Sequence, residues 1–225
     1  MNGTTAIAAF SNQPKESFDP SAGYLSNKSI GILRAVNEQE LVEGLKKGNQ
    51  AAFKHMVTSW QDLVYNTVLG IVQSEVEAED ITQEVFVKAY ESIGGFKGES
   101  KVSTWLYRIA VTKSLDHLRS KKRKKRFGYV YSLFGPSNEV VIDPPEFVHP
   151  GVVSEKKQAA VALFQALDTL PEQQKVAFVL TRLEGLNHKE VADIMQTTVP
   201  AIESLLQRAK GNLRKKLTNF YRQHL

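Results

Sequence analysis

The chain has 225 residues, 42% of them hydrophobic, a formal net charge of +5 and no cysteine. That is enough apolar material for one or two packed cores, and the lack of cysteine excludes disulfides and thiolate metal sites. No stretch reaches the roughly 18 to 20 apolar residues of a membrane span, and the N-terminus lacks the basic start and apolar core of a signal peptide, so a cytoplasmic protein without membrane insertion is expected.

Residues 1–36 are rich in Ser, Asn, Gly and Pro and lack periodicity, which predicts a disordered N-terminal extension. Such a segment is either a tolerated tail or a docking element. Asn37 with Glu40 three residues later resembles a capping box and predicts a helix through Lys47, stopped at Gly48-Asn49. A second helix is predicted from Gln50 to Gln73, with Ala52, Phe53, Met56, Val57, Trp60, Val64, Val68 and Ile71 near helical spacing. A third runs from Val76 to Ile93. The loop Phe96–Val102 follows, and a fourth helix starts near Ser103 or Thr104 and ends in SKKRKKR. Residues 127–153 contain Pro136, Pro144, Pro145 and Pro150 without a helical period, which predicts a flexible linker. Four more helices are predicted after it: Ser154–Leu170, Pro171–Glu184, Asn187–Gln196 and Val199–Tyr221. Pro171 suits a first helical position, where its missing N–H is not needed. The expected fold is all-α: two small helical domains, 37–126 and 154–225, joined by the linker.

The pair of helices at the C-terminal end has a distinctive break. A short helix stops at Gln196-Thr197-Thr198, and the next restarts immediately with Val199-Pro200. At about 100° per residue, Val199, Ile202, Leu205, Leu206, Ala209, Leu213 and Leu217 share one side. Glu203, Ser204, Gln207, Arg208 and Lys215 share the other. The apolar side is expected to pack on Val191, Ala192 and Ile194. A tight break between a short support helix and a helix with an exposed polar face is the helix-turn-helix layout, whose second helix enters the major groove of duplex DNA. Arg and Gln there can pair with base edges, and Lys with phosphates. The same stretch also fits an ordinary helical hairpin with a solvated face.

The fourth predicted helix carries a second signal. Arg108, Thr112, Leu115 and Arg119 form one stripe, and Trp105, Leu106, Ile109 and Ala110 an apolar one. From Arg119 to Arg126, seven of eight residues are Lys or Arg. Such a run is a solvated helix end or a phosphate-binding patch. The loop before it sets Phe96, Trp105 and Tyr107 beside Gly98, Ser100 and Ser103, a composition able to stack and hold an unpaired base. Trp105 suits a core position better. Upstream, Asp80, Gln83 and Glu84 lie beside Ile81; favourable placement near a helix N-terminus explains the carboxylates without any partner.

These residues together carry a family resemblance. "AEDITQEVFVKAYESIGGFKGESKVSTWLYRIAVTKSLDHLRSKKR" is similar to the second domain of bacterial RNA polymerase sigma factors of the extracytoplasmic-function group. "LPEQQKVAFVLTRLEGLNHKEVADIMQTTVPAIESLLQRAKGNLRKKL" is similar to their fourth. The resemblance implies an alternative sigma factor that binds core RNA polymerase and directs promoter-specific initiation. It implies that Asp80, Ile81, Gln83 and Glu84 dock on core polymerase. It places Phe96, Lys97, Gly98, Glu99, Ser100, Ser103, Arg108, Thr112 and Arg119 on the minus-ten element, where the non-template strand is melted. It places Lys189, Pro200, Glu203, Ser204, Gln207, Arg208 and Lys215 on the duplex minus-thirty-five element, and it implies an anti-sigma factor as a further partner. Two positions depart from the family pattern. Thr112 stands where many relatives carry Asn, and Glu203 where many carry Lys or Arg.

A competing reading is a stand-alone helix-turn-helix regulator, which leaves the loop and the Asp80–Glu84 segment without a role. An enzyme is not expected. His55, His117, His149, His188 and His224 are scattered, and no HExxH, GxSxG, P-loop or dinucleotide fingerprint is present. No cofactor, metal site or catalytic residue is expected.

Overall fold

The computed structural model describes residues 38–134 and 155–224, with side chains described for 38–124 and 162–218. Eight α-helices run through these residues: α1 (Glu38–Lys46), α2 (Gln50–Val72), α3 (Glu75–Ser92), α4 (Val102–Phe134), α5 (Glu155–Asp168), α6 (Glu172–Phe178), α7 (His188–Met195) and α8 (Val199–His224). Among the described residues there is no strand. Asn37, the N-terminal extension, residues 135–153 of the predicted linker, Ser154 at the predicted start of the next helix, and Leu225 lie outside them.

The chain divides into two compact units, with the boundary between Thr58 and Ser59. In the first, Leu41, Leu45, Met56 and Val57 are buried. Asn49 Oδ1 accepts from the backbone N–H of Ala51 at 2.8 Å, so the residue that interrupts the chain after α1 also caps α2.

In the second unit the continuation of α2 buries Val64, Val68 and Ile71 at the predicted spacing. Ser74 caps α3 by accepting from the backbone N–H of Glu77, and α3 packs on α4. The helix-turn-helix half is built from α5 to α8. Ile202, Leu206, Ala209 and Leu213 of α8 are buried, against α5, α6 and α7. Asn187 and Glu190 form a full capping box at the start of α7, which satisfies donors that the first turn of a helix cannot pair internally.

Three predicted boundaries differ from the structure. The fourth predicted helix continues through residues 127–134, eight positions into the expected linker; prolines, the strongest helix stops, begin only at Pro136. Pro171 is the N-cap of α6, with extended backbone (φ −53°, ψ 142°), rather than its first helical residue. The predicted helix Pro171–Glu184 is regular only to Phe178 and widens into a π turn over Val179–Leu183. There the backbone N–H of Glu184 donates to the carbonyl of Val179 at 3.1 Å. π turns are rare and occur mostly as single-turn bulges inside α-helices. This one packs closely on Gly70 of α2: a Cβ built there would lie 2.9 Å from Val179 Cγ1 and 3.3 Å from Leu183 Cδ1.

The two helical halves therefore share a core. Ile71 and Tyr107 are buried in one cluster with Val176, Val179, Leu180, Val191, Ile194 and Ile202.

Candidate nucleic-acid and polymerase surfaces

The turn between α7 and α8 is built locally. Gln196 adopts the left-handed conformation (φ 52°, ψ 49°) and ends α7. Thr198 opens α8 by accepting, through Oγ1, from the backbone N–H of Ala201 at 3.4 Å. Three residues thus redirect the chain, with the backbone N–H of Thr197 donating to the Ala192 carbonyl at 2.9 Å. Of the residues predicted to meet duplex DNA, Lys189, Pro200, Glu203, Gln207, Arg208 and Lys215 are exposed and Ser204 is half-buried. Arg208 Nη2 donates to Ser204 Oγ at 2.9 Å, and Nε to the Ser204 carbonyl at 3.3 Å. The guanidinium is thereby steered along the polar face. His188, at the start of α7, lies 3.6 Å (Nδ1 to Oε1) from Glu203. The residue that departs from the family pattern thus lies beside the first residue of the support helix.

In the other half, Asp80, Gln83 and Glu84 line the exposed side of α3. Ile81 does not join them: it is buried at 3% exposure. This corrects its assignment to a contact surface, and its apolar side chain follows the core face with Ala78 and Val85 as helical spacing requires. Glu84 accepts from Lys113 Nζ of α4 at 2.9 Å.

The loop before α4 exposes Lys97, Gly98 and Glu99, with Ser100 and Ser103 half-buried. Gly98 has φ +75°, a left-handed conformation that a side chain disfavours, and the space around it is open. Phe96 is a second correction. It is buried at 8% exposure and packs against Trp105, with ring centroids 5.1 Å apart. Its ring supports the loop from the protein side and offers no face to a base. Trp105 itself is half-buried.

Arg108, Thr112 and Arg119 fall on one stripe of α4, as the spacing predicts. Thr112 and Arg119 are exposed and Arg108 half-buried. Arg108 donates through Nε (3.2 Å) and Nη2 (2.9 Å) to the carbonyl of Asp193 near the end of α7. Arg119 Nε donates to Glu172 Oε2 at 3.1 Å, and Lys122 Nζ lies 3.6 Å from Glu172 Oε1. A cleft of about 220 Å³ separates the two halves, lined by Arg108, Thr112, Leu115, Gln173, Met195 and Gln196 among others.

Sequence reasoning missed three groups here. Lys175 is buried at 3% exposure; its Nζ donates to Asp168 Oδ1 at 2.8 Å and to the Ile71 carbonyl at 3.4 Å. A lysine amid Val176, Ala177 and Val179 was the available signal. Tyr107, read as part of the loop's aromatic set, is buried and donates its hydroxyl to Glu184 Oε2 at 3.2 Å. Burial raises the Glu184 carboxyl to about 7, against the hydrogen bond from Tyr107, which pulls the other way. The Tyr107 hydroxyl is raised too, first by burial and then by the charges of Glu184 and Glu190. Gly70 is the third missed group: a lone glycine inside a strong helix.

Glu184 has a measurable consequence. Its folded value lies above the ordinary 4.5, so the folded chain keeps a proton that the unfolded chain has lost. Its contribution is complete below about pH 4.5 and is lost as pH rises through about 7, on the order of 3 kcal/mol at most. Urea midpoints measured from pH 5 to pH 8 are expected to fall with pH, and Glu184→Gln should flatten that slope. An unchanged slope in the variant would contradict the assignment. Glu77 does not mimic this trend: burial raises it, but Lys121 and then His117 outweigh burial and leave it lowered, so its contribution is lost on the acid side.

Comparison with known proteins identifies the family. The sigma-70 region 2 family matches residues 56–124, and the sigma-70 region 4 family matches residues 160–213. The RNA polymerase sigma-H factor of Pseudomonas aeruginosa is 29% identical over 202 residues, 85% of this chain and 100% of that one. The ECF RNA polymerase sigma-E factor of Escherichia coli K12 is 31% identical over 182 residues, 81% of this chain and 95% of that one. Two solved structures share the fold. CnrH in complex with the cytosolic domain of CnrY has a TM-score of 0.57 at 20% identity, covering 81% of this chain and 97% of that one. The sigma factor RpoE in complex with the anti-sigma factor NepR, from Bartonella quintana, has a TM-score of 0.52 at 21% identity, covering 74% and 96%. With both regions present in order and a relative above 30% identity spanning most of both chains, the protein belongs to the sigma-70 family of RNA polymerase sigma factors, in its extracytoplasmic-function group.

Proposed function

We propose that this sigma factor divides promoter opening between two surfaces. Residues 37–126 form the half that binds core polymerase and melts the minus-ten element; residues 154–225 form the half that reads the minus-thirty-five element as duplex. Asp80, Gln83 and Glu84 dock on core polymerase. Lys97 to Ser103 hold a base extruded from the non-template strand, and Arg108, Thr112 and Arg119 line the melting face. Extruding a base costs a few kcal/mol in stacking and pairing, and a pocket for that base offsets the cost. On α8, Gln207 and Arg208 read base edges, Glu203 accepts from a donor such as cytosine N4, and Lys189 and Lys215 meet phosphates. Two modest contacts on one tether act together through effective concentration. The protein works in the cytoplasm, carries out no chemistry of its own and is restrained by an anti-sigma factor.

The observation that carries this reading is the exposed polar face of α8, set behind a capped three-residue turn with Arg208 steered by Ser204. The test is transcription of fragmented genomic DNA by core polymerase with and without the protein, with sequencing of RNA 5′ ends. Starts that depend on the protein and share two upstream elements at fixed spacing are expected. Duplex binding without core, together with no new starts, would favour a stand-alone regulator instead.

A further inference from the structure

We propose that His188 is a positioning residue for DNA reading: from the first residue of α7 it holds the Glu203 carboxylate of α8 toward the exocyclic amino group of a cytosine in the duplex. The proposal rests on the assignment of the polar face of α8 to the minus-thirty-five element, and it names the residue that makes one reader on that face selective.

Glu203 is the one acidic residue of α8, a helix that carries Arg208, Lys210, Arg214, Lys215 and Lys216. A carboxylate there faces a polyanion, and it weakens binding unless it meets a donor. Cytosine N4 is the donor in the major groove that a carboxylate matches; adenine N6 sits beside the N7 acceptor, which repels it. Glu203 lies in the N-terminal part of α8, the part of a recognition helix that reaches base edges. Its own helix sets no cation one turn away, where Val199, Pro200, Leu206 and Gln207 stand. Arg208 is held by Ser204.

The partner comes from the other helix. His188 Nδ1 lies 3.6 Å from Glu203 Oε1. That is within ion-pair reach of an imidazolium and just beyond hydrogen-bond length for a neutral ring protonated at Nδ1, so a small side-chain adjustment closes it. The side chains are 42% and 59% exposed, which leaves the pair open to a base edge. The backbone that carries His188 is pinned on both sides. Asn187 Oδ1 accepts from the N–H groups of Lys189 and Glu190, each at 3.0 Å, and Glu190 Oε2 accepts from that of Asn187 at 3.0 Å. Val191 and Ile194 of α7 are buried in one cluster with Ile202 and Leu206 of α8, so the two helices are fixed to each other. With one carboxylate oxygen turned to His188, the other is left for the cytosine, and its orientation is set before DNA arrives. An exposed pair of this kind adds little to stability; its effect is on which base is read.

The full-length protein on core polymerase is used to select from a random-sequence duplex library, and the bound fraction is sequenced. The parent is expected to enrich cytosine at one position of its upstream element. Glu203→Gln should move that preference to adenine, the base that an amide side chain matches. His188→Ala should cut the cytosine preference about fivefold or more at that position alone, with an unchanged urea midpoint. His188→Gln, whose amide N–H also reaches toward the carboxylate, should restore most of it. In the Glu203→Gln background, His188→Ala should change nothing further, because the imidazole acts through the carboxylate. An undiminished cytosine preference in His188→Ala, an equal loss at every position, or no rescue by His188→Gln would overturn the positioning role. A shared element in the parent with no cytosine that depends on Glu203 would do the same and leave the duplex reading of α8 standing. A parent that enriches no sequence would overturn that reading and the proposal with it.

Discussion

Ile202→Ala is expected to lower the unfolding free energy by about 2–5 kcal/mol, the range for large-to-small changes at fully buried sites. Ile202 has 0% exposure and sits in the first turns of α8, in one cluster with Leu180, Val191, Ile194 and Leu206. That cluster joins α8 to the support helix α7 and to the π turn after α6. Truncation would leave a cavity where three elements converge, and none can collapse alone to fill it. Urea unfolding of the full chain measures the loss, with Lys210→Ala on the exposed side of α8 as a control expected to stay within about 0.5 kcal/mol. A loss below about 1 kcal/mol for Ile202→Ala would mean that α8 is not anchored as the structure places it.

Arg208→Ala is the second large effect, this time on binding. The side chain is exposed and, among the described residues, is held within its own helix by the Ser204 hydroxyl and carbonyl. Stability should therefore change little. Binding to a duplex promoter fragment should weaken by about 1–3 kcal/mol, with relaxed discrimination at one base pair, if the guanidinium makes a bidentate contact to a base. Arg208→Lys should not restore discrimination, because an ammonium lacks the planar fork. Titrations of a set of single-base variants of the fragment, all at one salt concentration, measure both quantities. A uniform loss across all variants would reassign Arg208 to a phosphate.

The helices and their faces were legible because they follow from spacing. Ile202, Leu206, Ala209 and Leu213 are buried where a period of about 3.6 puts them, and Val64, Val68 and Ile71 likewise. The turn at Gln196–Thr198 was legible because few residues intervene between two amphipathic runs. Ile81 and Phe96 were misplaced for one reason: a motif groups residues by sequence neighbourhood, while the structure turns alternate members inward. The helical extension over residues 127–134 was hidden because the prolines further on gave the whole segment a loop-like composition. The partners of Tyr107, Lys175 and Gly70 could not be read, even where a lysine amid apolar residues signalled burial, since each lies about 80 to 110 positions away. Contacts of that range belong to tertiary packing, which local periodicity does not encode.

The close approach of Gly70 to Val179 and Leu183 also limits how the chain can drift over time. A side chain gained at position 70 is tolerated by the helix and rejected by its neighbour, so substitutions at 70 and at 179 or 183 should be accepted as pairs. A lineage that acquires alanine at 70 alone would be one in which selection for this contact has been relaxed. One in which 179 shrinks at the same time would be one that still needs it. Comparing those positions across descendants of a common ancestor would therefore report on how strongly the packing between α2 and the π turn is maintained, although neither residue touches polymerase or DNA in any role assigned above.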